Sequence, residues 1–275
     1  MSGPFCFSAK TVMQALPPYG GFSTIRASFA DPTFCLVGPE LFFMEEIQQR
    51  WLCGLSAPMV ALNPRADYDE PAFYSDPQFI DLQCSWGIND RPQLLSMLEG
   101  MADDGHASHL DGAYRAWQRC LPGEWQALLE TLSPRERDLH EFAGRTFGGC
   151  GPGGIRAWDL GRMGFLLRCG LRNEWIDLSE SLWLHARLAV RAQYHYGSWF
   201  SYFNGFLAGH AFWSCLGNSD EQMAHELDRQ GESSGSAFIA RGLARDIPSF
   251  LTDLPWHIDL DPPPRPASLG EFDWS

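Results

Sequence analysis

Apolar side chains recur at three- and four-residue spacing through most of this chain, and no segment shows a convincing two-residue alternation. The pattern predicts helices joined by short loops. The first is expected over 39–55, with Pro39 at the first helical position and Glu40, Glu45 and Glu46 near the positive helix end. Residues 63–74 are polar and read as a loop. Asp76-Pro77 is a good cap and first-turn pair for a short helix over 76–86. Asn89 or Asp90 opens the next, which carries Leu94, Leu95, Leu98 and Met101 in phase and stops near Gly105. Leu110, Ala113, Tyr114 and Trp117 form one stripe over 109–119. Shorter helices follow over 124–132 and 134–143, the second opened by Ser133-Pro134 with Glu136 completing a capping box.

A glycine-rich stretch, Gly148-Gly149-Cys150-Gly151-Pro152-Gly153-Gly154, reads as a flexible connector. An anion cradle at the start of the next helix is the alternative. The stretch lacks the G-x-x-x-x-G-K-[ST] pattern, and no strand precedes it, so it is not a P-loop. Helices are then expected over 155–168 and 178–196, the latter with Leu182, Ala186, Ala189 and Gln193 in phase. Ser198 caps a helix over 199–213 whose Trp199, Tyr202, Phe203, Phe206, His210 and Trp213 make a nearly continuous aromatic face. One or two more helices fall in 218–250, interrupted at 231–235. Residues 1–40, with Pro17-Pro18 and Gly20-Gly21, read as a loop-rich arm packed on the core. The tail at 262–266 is extended, and Trp274 closes the chain.

The predicted fold is mostly α: an irregular multi-helix bundle with a loop-rich N-terminal arm and little or no sheet. The expected organisation is an arm and first helix over 1–75, a helical domain over 76–216 and a C-terminal extension over 217–275.

Composition adds weight to the core. Eleven Trp and 19 Phe bury large areas and dominate packing or interface energetics. The formal net charge of −14 repels polyanions, so nucleic acid is not an expected partner, whereas a basic protein is attracted. Lys10 is the only lysine, which excludes most lysine chemistry. The eight cysteines, at 6, 35, 53, 84, 120, 150, 169 and 215, form no C-x-x-C pair. They are expected to be free, mostly buried thiols of a reducing compartment. No apolar run reaches 18 residues and no signal-peptide pattern opens the chain, so a cytoplasmic protein without a membrane span is expected.

Few residues suggest chemistry. Asp159 and Arg162 stand at i and i+3 on one helix beside Trp158 and Phe165, an arrangement suited to an internal ion pair or to a polar site under an aromatic pocket. His106 follows Gly105 at a helix end, where it can meet terminal carbonyls. With His109 it spells H-x-x-H, but His140, Glu141 and Asp111 are not at any known metal-ligand spacing, so no metal and no cofactor are expected. There is no G-x-S-x-G elbow. A thiol–imidazole site stays open because only geometry can reveal one.

Three ordered segments resemble a bacterial family, domain of unknown function 1266. They are Trp86-Gly87-Ile88 followed by Leu94, Leu95, Leu98 and Gly105-His106; Ala157-Trp158-Asp159-Leu160-Gly161-Arg162; and Tyr196-Gly197-Ser198-Trp199 leading through Gly205-Phe206-Leu207-Ala208-Gly209 to Phe212-Trp213. The resemblance covers about residues 80–215. It implies an α-helical, non-secreted bacterial protein and supplies no catalytic residues. The family's usual Arg after the second glycine of the third segment is His210 here, which removes any Arg–acid pair from that position.

The residues to follow into the structure are therefore Trp86, His106, Trp158, Asp159, Arg162, Trp199 and His210. A compact acidic helical protein without a complete catalytic motif is expected to bind another protein. The sharpest version is an immunity protein that neutralises a basic toxin domain. A chaperone or adaptor, and an enzyme with an unrecognised helical active site, are the alternatives.

Overall fold

The computed structural model describes residues 35–37, 40–42, 44–228 and 234–270. Most of the N-terminal arm, residues 229–233 within the expected interruption at 231–235, and Trp274 lie outside these. The chain divides into two units, Met1–Phe43 and Met44–Ser275. The described part of the first is an antiparallel hairpin of β1 (Cys35–Val37) and β2 (Glu40–Phe42), with Leu36 opposite Leu41.

The second unit is helical. Its elements are α1 (Glu46–Gly54), α2 (Ala57–Leu62), α3 (Gln83–Trp86), α4 (Arg91–Asp103), α5 (Ser108–Arg119), α6 (Pro122–Thr131), α7 (Pro134–Cys150), α8 (Arg156–Arg172), α9 (Leu178–His195), α10 (Trp199–Cys215), α11 (Asp220–Asp228) and α12 (Ser234–Phe250). Most starts fall where capping chemistry predicts. Asp90, Ser133, Asp177 and Ser198 each accept a hydrogen bond from the backbone N–H three residues on. Among the described residues no helix is long and apolar enough to cross a membrane.

Three expectations need correction. The first helix begins at Glu46 rather than 39, and Glu40 belongs to β2. Gln48 marks the true start by accepting the Glu45 N–H on its side chain at 3.1 Å. Residues 76–82 are not helical. Asn173, at the end of α8, holds Ile80 from both sides: its side chain accepts the Ile80 N–H at 2.8 Å and donates to the Ile80 carbonyl at 2.8 Å. Those two backbone groups are then unavailable to a helix.

The glycine-rich stretch is not a flexible connector. α7 runs on to Cys150, and Gly151–Gly153 is a 3-10 turn. The buried Tyr196 hydroxyl pins it. That oxygen accepts the Ala157 N–H at 2.8 Å and donates toward the Gly154 carbonyl at 3.0 Å. Tyr196→Phe keeps the ring and orphans a buried amide, so a loss of about 1–3 kcal/mol in chemical denaturation is expected. A variant as stable as the parent would show that the turn holds without the hydroxyl.

α8 is the centre of the bundle, with α2, α4, α9 and α10 packed on it. It is buried nearly all round, from Ala157 to Gly170, which is why it shows no single apolar stripe. Where α8 meets α10, Gly209 is required: a Cβ there would sit 2.3 Å from the Trp158 Cβ.

The C-terminal segment is strapped to the bundle by indoles. Trp51 donates to the Trp256 carbonyl at 3.0 Å, Trp199 to the Leu254 carbonyl at 3.0 Å, and Trp256 to the Tyr196 carbonyl at 2.8 Å. The Trp199 ring lies 5.0 Å from Trp51 and 4.8 Å from Trp256. Each indole thus buries its apolar body and satisfies its single donor.

Candidate functional site

Asp159, in the first turn of α8, reaches across to the start of α5. Its carboxylate accepts the His106 N–H at 3.1 Å on Oδ1 and the Ala107 N–H at 2.9 Å on Oδ2. A carboxylate at the positive end of a helix, satisfying amides that have no partner inside that helix, is a stabilising arrangement. Gly105 makes the approach close enough, since a Cβ there would meet Asp159 Oδ2 at 2.6 Å.

Arg162 lies one turn further along α8. Its guanidinium sits between two indoles, 4.8 Å from the Trp86 ring and 5.0 Å from the Trp158 ring. Such stacking suits a planar, weakly hydrated cation. Arg162 Nη1 is 3.0 Å from His106 Nδ1 and 3.8 Å from Asp159 Oδ1. His106 Nδ1 also lies 3.3 Å from Asp159 Oδ1. Because the guanidinium can only donate, we assign Nδ1 as its acceptor and place the imidazole proton on Nε2. Burial pushes the Arg162 pKa down to about 10, with the Asp159 charge opposing the shift; the group stays charged at neutral pH.

Five of the seven predicted residues, Trp86, His106, Trp158, Asp159 and Arg162, therefore form one cluster. His210 adjoins it, its ring 5.4 Å from Trp158 in an edge-on arrangement. Its Nδ1 is 2.8 Å from the Ser236 hydroxyl of α12. Burial pushes its pKa down to about 4, so it is neutral at pH 7. Trp199 belongs instead to the indole strap of the C-terminal segment. His109 packs beside Phe212, 6.0 Å between ring centroids. Among the described residues no three His, Cys, Asp or Glu side chains are grouped to hold a metal ion.

A further structural residue, Arg168, escaped sequence reasoning. Arg168 is fully buried. Its guanidinium donates to Ser56 Oγ at 2.9 Å and to the carbonyls of Asp67 and Glu70, each at 2.5 Å, and lies 5.0 Å from the Phe73 ring. It holds the polar loop between α2 and α3 against α8. The only available signal was a lone charge inside an apolar run, Gly164-Phe165-Leu166-Leu167-Arg168-Cys169-Gly170.

The six cysteines whose side chains are described are free. Cys53, Cys150, Cys169 and Cys215 are buried, Cys120 is partly exposed and Cys84 is exposed. Burial pushes the four buried thiols up, Cys150 to about 12, which disfavours the thiolate.

Beside the cluster, a cleft of about 210 Å³ opens between the α4–α5 corner and the facing sides of α8 and α9. Asp159 forms part of its wall. Met101, Leu160 and Met163 supply apolar surface, while Arg156, Arg191 and His195 supply polar groups. Arg156 is ion-paired to Asp111. Partial burial, together with the positive charges of Arg156 and Arg191, pushes the His195 pKa down to about 4.

The family described as "Protein of unknown function (DUF1266)" matches residues 81–256. That range takes in the cluster, the cleft and Trp256. Two Escherichia coli K12 proteins are similar over most of the chain. "Uncharacterized protein YbeU" is 40% identical over 218 residues, 78% of this chain and 92% of its own length. "Uncharacterized protein YbeR" is 40% identical over 217 residues, again 78% of this chain and 92% of its own. No solved structure matches.

Proposed function

We propose, for a chain that belongs to the DUF1266 family of bacterial proteins, a function in protein binding, in its narrowest form as a cytoplasmic immunity protein that neutralises a cognate toxin. The observation that carries this reading is the net charge of −14. Charge of that size attracts a basic partner and speeds encounter with it. The cluster around Asp159 supports the reading from inside the fold. Asp159, Arg162 and His106 satisfy one another and the start of α5, so their task is to hold a rigid shape on which a surface can be presented. A chaperone or adaptor would share this physics and differ only in partner.

The test is co-expression with the product of the adjacent gene. The immunity reading expects that product to be toxic alone, to be tolerated when this chain is present, and to copurify with it. Association should slow as salt is raised, because exposed charges are screened over about 10 Å at 0.1 M ionic strength. A harmless neighbour, or a pair that does not copurify, would sink the immunity version. Stable copurification without protection would point to an adaptor.

A further inference from the structure

Beyond Trp256 the chain runs back along α9. Gln193, near the end of that helix, donates to the Trp256 carbonyl at 3.2 Å and the Ile258 carbonyl at 3.3 Å. At the start of α9, Ser268 Oγ donates to Glu180 Oε1 at 2.5 Å, and Arg91, paired with Glu180, donates to the Ser268 carbonyl at 3.0 Å. Between these fixings runs Asp261-Pro262-Pro263-Pro264-Arg265-Pro266. Prolines have no N–H to donate and favour the extended polyproline II form. Pro266, at φ −62° and ψ 134°, adopts it. The fixings lie about 20 Å apart at about 1.5 Å per helical residue, a distance that about seven extended residues cover at about 3.1 Å each. Pro263 is buried. The Arg265 guanidinium lies 5.4 Å from the ring of the buried Trp183. Arg187 lies 5.9 Å from the same ring, and its buried Nε has no hydrogen-bond partner among the described residues.

An aromatic side chain against an extended proline-rich segment is the arrangement by which proteins recognise such peptides. The preformed polyproline helix loses little conformational entropy on docking. An arginine in it adds a cation–π contact and is attracted to a chain of net charge −14. The family match ends at Trp256, so Trp183 lies inside it and the segment seated there lies beyond it. Resting on the protein-binding reading, we propose that the Trp183 face of α9 is a docking site for an extended, proline-rich, arginine-bearing segment of a partner protein, and that the chain's own residues 258–269 occupy it as an intramolecular strap. A partner must displace a tail whose effective concentration is about millimolar, so the site opens when the latch at Ser268 lets go. A segment that brings an acceptor to Arg187 Nε makes a bond that the tail does not.

The experiment titrates the full chain into a fluorescein-labelled synthetic peptide of residues 258–270 and follows fluorescence anisotropy. Ser268→Glu sets a second carboxylate against Glu180, and the like charges release the tail. The expected result is saturable binding to the Ser268→Glu chain, at least about ten-fold tighter than to the parent. A peptide in which Pro262, Pro263, Pro264 and Pro266 are changed to Gly keeps the charge, loses the preformed helix and should bind about ten-fold more weakly or worse. Trp183→Leu in the Ser268→Glu chain should weaken the original peptide about ten-fold or more. Should that variant fold poorly, an Arg265→Ala peptide removes the same contact from the other side and should lose as much. No saturable binding to the Ser268→Glu chain up to about 1 mM peptide would overturn the proposal. So would equal binding by the parent, by the glycine peptide or by the Arg265→Ala peptide, or undiminished binding to folded Trp183→Leu protein. A toxin that copurifies while the peptide does not bind would remove this site and leave the protein-binding reading standing.

Discussion

Arg168→Ala is expected to remove about 3–5 kcal/mol of stability, the range seen when a buried charged group is taken from its partners. Its contacts explain the size. The guanidinium is fully buried and bonds to the Ser56 hydroxyl and to the carbonyls of Asp67 and Glu70. Deleting it leaves those acceptors without their donor and opens a cavity beside Phe73. Methionine fills part of the cavity but donates nothing, so Arg168→Met should recover only a minority of the loss. Lysine keeps the charge without the fork and should fall between the two. For a chain of this size the loss corresponds to roughly 10 °C in midpoint. Urea denaturation of the four proteins measures it, and hydrogen exchange should place the earliest opening in residues 63–74. A loss no larger than that of a surface Arg→Ala change would mean that the loop holds without Arg168.

The second large effect is at Asp159. Asp159→Ala should cost about 3–5 kcal/mol, because it strips a buried carboxylate from two amides and leaves the Arg162 charge between its indoles without a counterion. Asp159→Asn keeps one acceptor for the start of α5 and should lose less. The paired change Asp159→Asn with Arg162→Met removes the stranded charge as well. It should destabilise less than the sum of the single changes, with a coupling of about 0.5–3 kcal/mol. Strict additivity would show that the two side chains act independently and that the cluster is not a unit.

The two sites differ in how far the sequence exposed them. Asp159 and Arg162 are three residues apart on a predictable helix, and the resemblance brought Trp86, His106 and Trp158 into the same frame. Their meeting across 53 residues, at the His106 amide, could be suspected from the order of motifs but not located. Arg168 gave one faint signal, and nothing nearby suggested its partners. The Trp strap gave less: Trp51 and Trp256 stand far apart in the chain, outside any shared motif, and only the folded structure shows them against Trp199. Trp199 was legible as an aromatic on a helix face, while its role in holding the C-terminal segment was not.

By itself the sequence determined the helical class, the order of most helices and many of their starts. Those depend on interactions within about four residues: apolar spacing, a side-chain oxygen three residues before the amide it caps, a proline in the first turn. The tertiary structure decided whatever is settled by partners distant in the chain. Residues 76–82 stay extended because Asn173 occupies the Ile80 backbone from 93 residues away. The glycine-rich stretch is a fixed turn because the Tyr196 hydroxyl reaches it across 42 residues. Arg168 is buried because carbonyls 98 and 101 residues away accept its protons. Local pattern says where a helix can form; the burial of polar groups, which must find partners wherever the fold supplies them, decides which segments become helix, turn or strap.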